Sequence, residues 1–213
     1  MQCTITGGMG FIGRALASRL LAQGHQVRII DNLSVQVHGP RPSLDPPPGA
    51  QFIRADVRDL AANPGWIAGS EALFHLAAET GTAQSMYRIG HYVAVNEAGT
   101  AALLEAVAAC APRPRLLVLA SSRSVYGEGA YRDAAGTLVQ PAPRSRAQVQ
   151  AGAWEPTGPD GAALTPVATP EALPYRPGSI YAATKAAQEL LVQSASDALG
   201  LRTAILRFQN VYG

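Results

Sequence analysis

Tyr181 and Lys185 stand four residues apart in Ser179-Ile-Tyr-Ala-Ala-Thr-Lys-Ala-Ala-Gln-Glu, a spacing that puts both side chains on one face of a helix. An ammonium beside a phenol stabilises phenolate and moves Tyr181 towards a general base at neutral pH. Ser122, within Ser121-Ser122-Arg123-Ser124, offers a hydroxyl that can hydrogen-bond the same substrate oxygen. The Tyr-x-x-x-Lys spacing also arises by chance on solvated helix faces. It means chemistry only if the chain builds a place for a reaction partner beside it.

The first thirteen residues build such a place. An apolar strand runs into Thr6-Gly7-Gly-Met-Gly10-Phe11-Ile12-Gly13 and then into a helical pattern from Arg14 to Gly24. Gly7 permits the tight turn, Gly10 lets a pyrophosphate approach the helix N-terminus, and Gly13 allows close packing. A second strand over 25–30 ends at Asp31-Asn32, where a carboxylate accepts both ribose hydroxyls and repels a 2′-phosphate, which favours NAD over NADP. A third strand over 51–55 ends at Asp56-Val57. That pair either holds the adenine edge, or Asp56 caps the following turn. A fourth strand leads into Leu76-Ala77-Ala78, small enough for the pyrophosphate and ribose to cross the sheet edge; His75 within it reads as a core histidine without a role. A long helix over 92–111 carries Asn96, a candidate for bonding the strand that holds Ser122. That strand, 115–120, is a continuous apolar run, as a parallel strand covered on both faces requires. A sixth strand over 202–208 leads into Gln209-Asn210-Val-Tyr-Gly.

These elements describe an α/β fold with a doubly wound parallel sheet, one domain over 1–213. Two stretches fall outside the pattern. Residues 33–49, with five prolines, read as a surface loop, and about 128–178, with seven prolines between Pro141 and Pro174, as a loop-rich insertion over a site or a partner. The chain is 47% hydrophobic and 15% charged with a net charge of +2, so it can bury a large core, and neither a nucleic-acid surface nor an anionic membrane is indicated as partner. Two distant cysteines give neither a disulfide framework nor a zinc site. No signal peptide or long apolar run is evident, which places the protein in the cytoplasm.

The ordered set of Thr-Gly-Gly-Met-Gly-Phe-Ile-Gly at 6–13, Asp31-Asn32-Leu33, Asp56-Val57, His75-Leu-Ala-Ala, Val95-Asn96, Ser121-Ser122 before Val125-Tyr126-Gly127, Tyr181-x-x-x-Lys185 and Arg207-Phe-x-Asn210-Val-Tyr-Gly resembles the extended short-chain dehydrogenase/reductases, specifically nucleotide-sugar epimerases and dehydratases. The resemblance implies a Rossmann-type domain that holds NAD, with Tyr181 as base, Lys185 on the nicotinamide ribose and tuning Tyr181, and Ser122 on the sugar hydroxyl. Asn210 matches the position that contacts the substrate diphosphate. Dehydratases of the family carry an Asp-Glu pair just after the catalytic hydroxyl residue. Here Arg123 and Ser124 occupy those slots and cannot move protons at neutral pH, which favours C4 epimerisation of a UDP-hexose or UDP-hexuronic acid over dehydration. Net oxidoreduction of a sugar nucleotide is a further alternative. Arg123, beside the reacting sugar, suits a C6 carboxylate such as that of UDP-glucuronate; a salt bridge to Glu128 or Asp133 is the competing role.

Relatives with a similar insertion can carry cysteines in it; this one has none, so no metal is expected. Relatives also continue into a smaller C-terminal substrate domain, which this chain is read as lacking, leaving a non-catalytic NAD-binding module as another possibility. The family commonly pairs through two helices, here matching roughly 91–110 and 179–199, so a homodimer is expected.

Overall fold

A computed structural model describes residues 1–42 and 45–212; Ser43 and Leu44 of the 33–49 loop and Gly213 of the last motif lie outside the described residues. Strands β1 (Gln2–Thr6), β2 (Gln26–Asp31), β3 (Gln51–Arg54), β4 (Ala72–His75) and β5 (Leu116–Ser122) form one sheet with β9 (Arg202–Phe208), in the order β3-β2-β1-β4-β5-β9. Every pairing in it is parallel. The strand order reverses between β1 and β4, so the C-terminal ends of these strands open a crevice where ligands bind in such sheets.

Alternate side chains explain why the strands read as apolar runs. Ile29 packs on one face with Cys3, Ile5, Ala17, Leu20 and Val27, while its neighbour Ile30 packs on the other with Leu73, Leu103, Val107, Leu117 and Val192. The first face is covered by α1 (Phe11–Ala22). The second is covered by α5 (Gly99–Ala109) and α7 (Ile180–Leu199), the latter started by Ser179, whose hydroxyl accepts from Ala182 N at 3.1 Å, and stopped by Gly200 in the left-handed region.

Three regions depart from the expected elements. The proline-rich loop contains a four-residue helix, α2 (Val35–His38). The expected helix over 92–111 is not one regular element: short helices α3 (Thr82–Ser85) and α4 (Ile89–Tyr92) lead into a π-helical stretch, Val93–Ala98, and only then into α5. The insertion carries a three-stranded antiparallel sheet of β6 (Tyr131–Arg132), β7 (Leu138–Val139) and β8 (Thr165–Pro166), with a short helix α6 (Arg146–Gln150). Strands of two residues are too short for period-two alternation to show in the sequence. A hollow of about 980 Å³ lies within the insertion and shares Pro143 with the site described next.

Candidate functional site

Two clefts open at the C-terminal ends of the strands. The first, of about 450 Å³, is lined by Gly7, Gly10, Phe11, Ile12 and Gly13, by Asp31, Asn32 and Val57, and by Leu76, Ala77 and Ala78. The glycine turn is fixed by close contact. Gly7 has φ +70°, and a Cβ there would lie 2.6 Å from Ala77 N; one on Gly13 would lie 2.5 Å from the Gly7 carbonyl oxygen. A Cβ on Gly10 would meet only the Gly7 carbonyl oxygen, at 3.3 Å. No side chain caps α1 at Gly10, so the first-turn amides face an opening that suits a phosphate.

Asp31 is buried, with Oδ2 accepting from Met9 N at 3.0 Å and Oδ1 from Leu33 N at 2.9 Å. These bonds aim the carboxylate at the cleft and leave lone pairs for ribose hydroxyls. Asp56 is different. It caps the turn through Arg58 N, pairs with the Arg58 guanidinium at 2.8 Å and accepts from Asn32 Nδ2 at 2.9 Å. The hydrogen bonds from Arg58 hold its carboxyl down at about 2. Asp56 thus takes the capping role that was one of its two expected roles, and its neighbour Val57 lines the cleft.

Asn96 also departs from expectation. It does not bond β5; Oδ1 accepts from Glu79 N at 2.8 Å, and Nδ2 donates to Glu79 O at 3.2 Å and to Thr184 Oγ1 at 2.9 Å. It thereby joins the segment after β4 to α7. Sequence reasoning missed His38, Glu79, Thr80, Val95 and Ala120 as further lining residues of this cleft. His75 is the satisfied core histidine expected, bonded to Thr6 Oγ1 at 2.7 Å and Thr100 Oγ1 at 2.9 Å; burial, reinforced by the charge on Lys185, pushes its pKa down to about 3.

The second cleft, of about 580 Å³, brings together Ser122, Arg123, Ser124, Tyr181 and Asn210, with Thr82 on one side and Pro143 and Arg144 of the insertion on another. Ser122 Oγ accepts from Ser124 N at 3.2 Å. Glu128 is taken by Arg144 at 3.1 Å and Asp133 accepts from the backbone of its own turn, so the salt bridge considered for Arg123 does not form.

Lys185 and Tyr181 lie four residues apart on α7, as the spacing predicted, but have different surroundings. Lys185, the only lysine in the sequence, is buried and donates from Nζ to the Ala120 carbonyl oxygen at 2.8 Å. It lines neither cleft and touches the first through Ala120. Burial lowers its pKa to about 8, against the pull of Glu189. Burial pushes the Tyr181 phenol up, and the opposing hydrogen bond comes from Ser122.

Below both clefts lies a charged cluster that sequence reasoning missed. Glu189 is fully buried one turn after Lys185 and accepts from the Ser121 hydroxyl, from Tyr175 OH at 2.9 Å and from Arg207 Nη2 at 2.8 Å. Arg207 lies over the rings of Tyr126 and Tyr175, 4.8 and 5.1 Å from their centroids. The signal available was an acid at the next position of the Tyr181/Lys185 helix face.

The NAD dependent epimerase/dehydratase family model matches residues 3–213. The dTDP-L-rhamnose 4-epimerase of Burkholderia thailandensis is 40% identical over 213 residues, covering 98% of this chain and 57% of the relative. A dTDP-glucose 4,6-dehydratase of Streptomyces niveus is 30% identical over 223 residues, covering 100% and 54%. The solved UDP-glucose 4-epimerase of Thermus thermophilus, a complex with NAD, superposes with a TM-score of 0.72 at 28% identity, covering 100% of this chain and 56% of that one. The chain thus spans a little over half the length of these relatives. With the glycine cradle, the parallel sheet and a match along nearly its whole length, the chain belongs to the NAD dependent epimerase/dehydratase family.

Proposed function

We propose that this chain carries the cofactor-binding and catalytic residues of a nucleotide-sugar 4-epimerase. The observation that carries the reading is the meeting of Ser122, Arg123, Ser124, Tyr181 and Asn210 in one cleft beside the glycine cradle. NAD bound in the first cleft supplies reversible hydride acceptance. Tyr181 removes the proton of the sugar 4-hydroxyl and later returns it, Ser122 orients that oxygen, and Lys185 supplies the nearby positive charge. Asn210 faces the diphosphate. Arg123 and Ser124 hold no acid-base pair for water elimination, which favours epimerisation over dehydration.

The Arg123 side chain makes no salt bridge or hydrogen bond among the described residues, and we infer that it meets an anionic group of the substrate, a C6 carboxylate in a UDP-hexuronic acid such as UDP-glucuronate. Leu190 and Leu191 on α7 and Ile89 and Val93 before α5 are large apolar side chains left exposed; they support pairing of two copies through these helices, which a scattering mass in solution would test.

The direct test incubates the purified protein, without added NAD, with UDP-glucose, UDP-glucuronate or dTDP-L-rhamnose and follows C4 stereochemistry by proton NMR. Inversion of any of them is expected. Bound NAD without turnover of any of the three would overturn the reading for this chain by itself.

A further inference from the structure

Lys185 is a buried cation, and its surroundings give it little direct compensation. Its one hydrogen bond goes to a carbonyl, that of Ala120. The titratable groups flanking it are Tyr181, one turn earlier on its own helix, and His75 on β4, which its charge helps keep deprotonated. A lone ammonium so placed tends to lose its proton. The full negative charge on this face is Glu189, at the i+4 position of α7.

Glu189 is held in its ionised form by an unusual set of donors. Arg207 Nε lies 3.1 Å from each carboxylate oxygen and Nη2 lies 2.8 Å from Oε2. Tyr175 OH and the Ser121 hydroxyl complete the set. Burial opposes ionisation, but these hydrogen bonds outweigh it and hold the carboxyl below its ordinary value. Arg207 is itself fixed by donating to Tyr126 OH at 2.5 Å and to the Glu171 carbonyl oxygen at 2.8 Å. The donors therefore come from β5, β9 and the returning end of the insertion, and Tyr126 and Ser121 flank the turn that carries Ser122.

We propose that Glu189, clamped by Arg207, is a positioning residue of this site: its fixed carboxylate keeps Lys185 in the ammonium form and α7 seated against the strand end that presents Ser122. The inference rests on reading Lys185 as the cation of the reaction. Glu189 touches neither cleft and acts only through its neighbours.

The single lysine makes the test direct. Protein labelled with nitrogen-15 at the lysine side chain gives one ammonium signal, whose shift against pH reports the Lys185 titration. Glu189→Gln removes the charge at nearly constant shape and should lower the midpoint from near 8 by about one unit or more. The double variant Glu189→Gln with Arg207→Gln leaves no orphan charge in the cluster and should lower it by less; it carries the test if the single variant does not fold. A purely structural role predicts the opposite sign, since loosening α7 admits water and moves the midpoint up towards the ordinary lysine value of about 10.4. An unchanged or raised midpoint in a variant with wild-type circular dichroism overturns the proposal. A lowered midpoint in a protein that turns over no sugar nucleotide would instead leave it standing and remove the epimerase reading.

Discussion

Lys185 Nζ donates to the carbonyl of Ala120 at 2.8 Å, and that residue, not the lysine, lines the cofactor cleft. The cation is therefore held just behind the cleft wall. Burial lowers its pKa from 10.5 to about 8, so between these values the unfolded chain binds more protons than the folded one. Stability from this group rises with pH across that window and is lost as pH falls through about 8, by at most about 3 kcal/mol. Urea denaturation at pH 8 and pH 10 should show the rise, and Lys185→Met should remove it while weakening NAD binding.

His75 gives a second window. Its folded value of about 3 lies below the ordinary 6.5, so the stability it contributes is present above 6.5 and is lost as pH falls towards 3. Because the ring is buried and bonded on both nitrogens, the cofactor-free protein should lose several kcal/mol between pH 6.5 and 4 in denaturant titrations. A flat profile would show that the ring reaches water.

The glycines of the cradle should separate by mechanism. Gly13→Ala drives a Cβ to 2.5 Å from backbone on the turn and is expected to destabilise the fold by more than about 2 kcal/mol. Gly10→Ala asks the turn to yield by only a few tenths of an ångström. Its main expected effect is at least tenfold weaker NAD binding at similar melting temperature, read by calorimetry and thermal denaturation.

Asp31 holds the turn, and in the proposed reading it also meets the ribose. Asp31→Ala leaves the amides of Met9 and Leu33 without acceptors, each loss costing about 1–3 kcal/mol, and it removes the charge that repels a 2′-phosphate. The variant should be less stable and should bind NADP relatively better than wild type; a stable variant with unchanged NAD preference would contradict both assignments.

Arg123→Ala should lower the ratio of kcat/KM for UDP-glucuronate over UDP-glucose by about tenfold or more, the size of one charge-assisted pair. If the ratio holds while both values fall, the guanidinium serves the diphosphate instead of the sugar.

The parts of this molecule legible in the sequence are those whose cause is local. A strand, three glycines and a helix declare themselves because each residue's own sterics decide the turn, and Asp31 follows from strand length. The charged cluster was hidden because Glu189, Tyr175, Arg207 and Tyr126 come from four separate segments, and only the folded sheet brings them within hydrogen-bond reach. Asn96 was expected to bond the strand that holds Ser122 but bonds Glu79 and Thr184 instead, since the pattern of apolar residues reveals burial and not which neighbour lies opposite. Asp56 pairs with Arg58, two residues away, a local partner that the apolar pattern of the strand does not announce.

The π-helical stretch over Val93–Ala98 behaves as a phase insert in an otherwise continuous rod. One residue more or less in a helix turns everything beyond it by about 100°. Deleting a single residue there and letting the rod relax to α-helical winding would swing either Asn96 away from Glu79 and Thr184 or α5 away from the sheet. The length of the segment therefore matters to the site directly: Asn96 bonds Thr184 of α7, the residue before Lys185, and shortening the stretch by one residue is expected to break that bond.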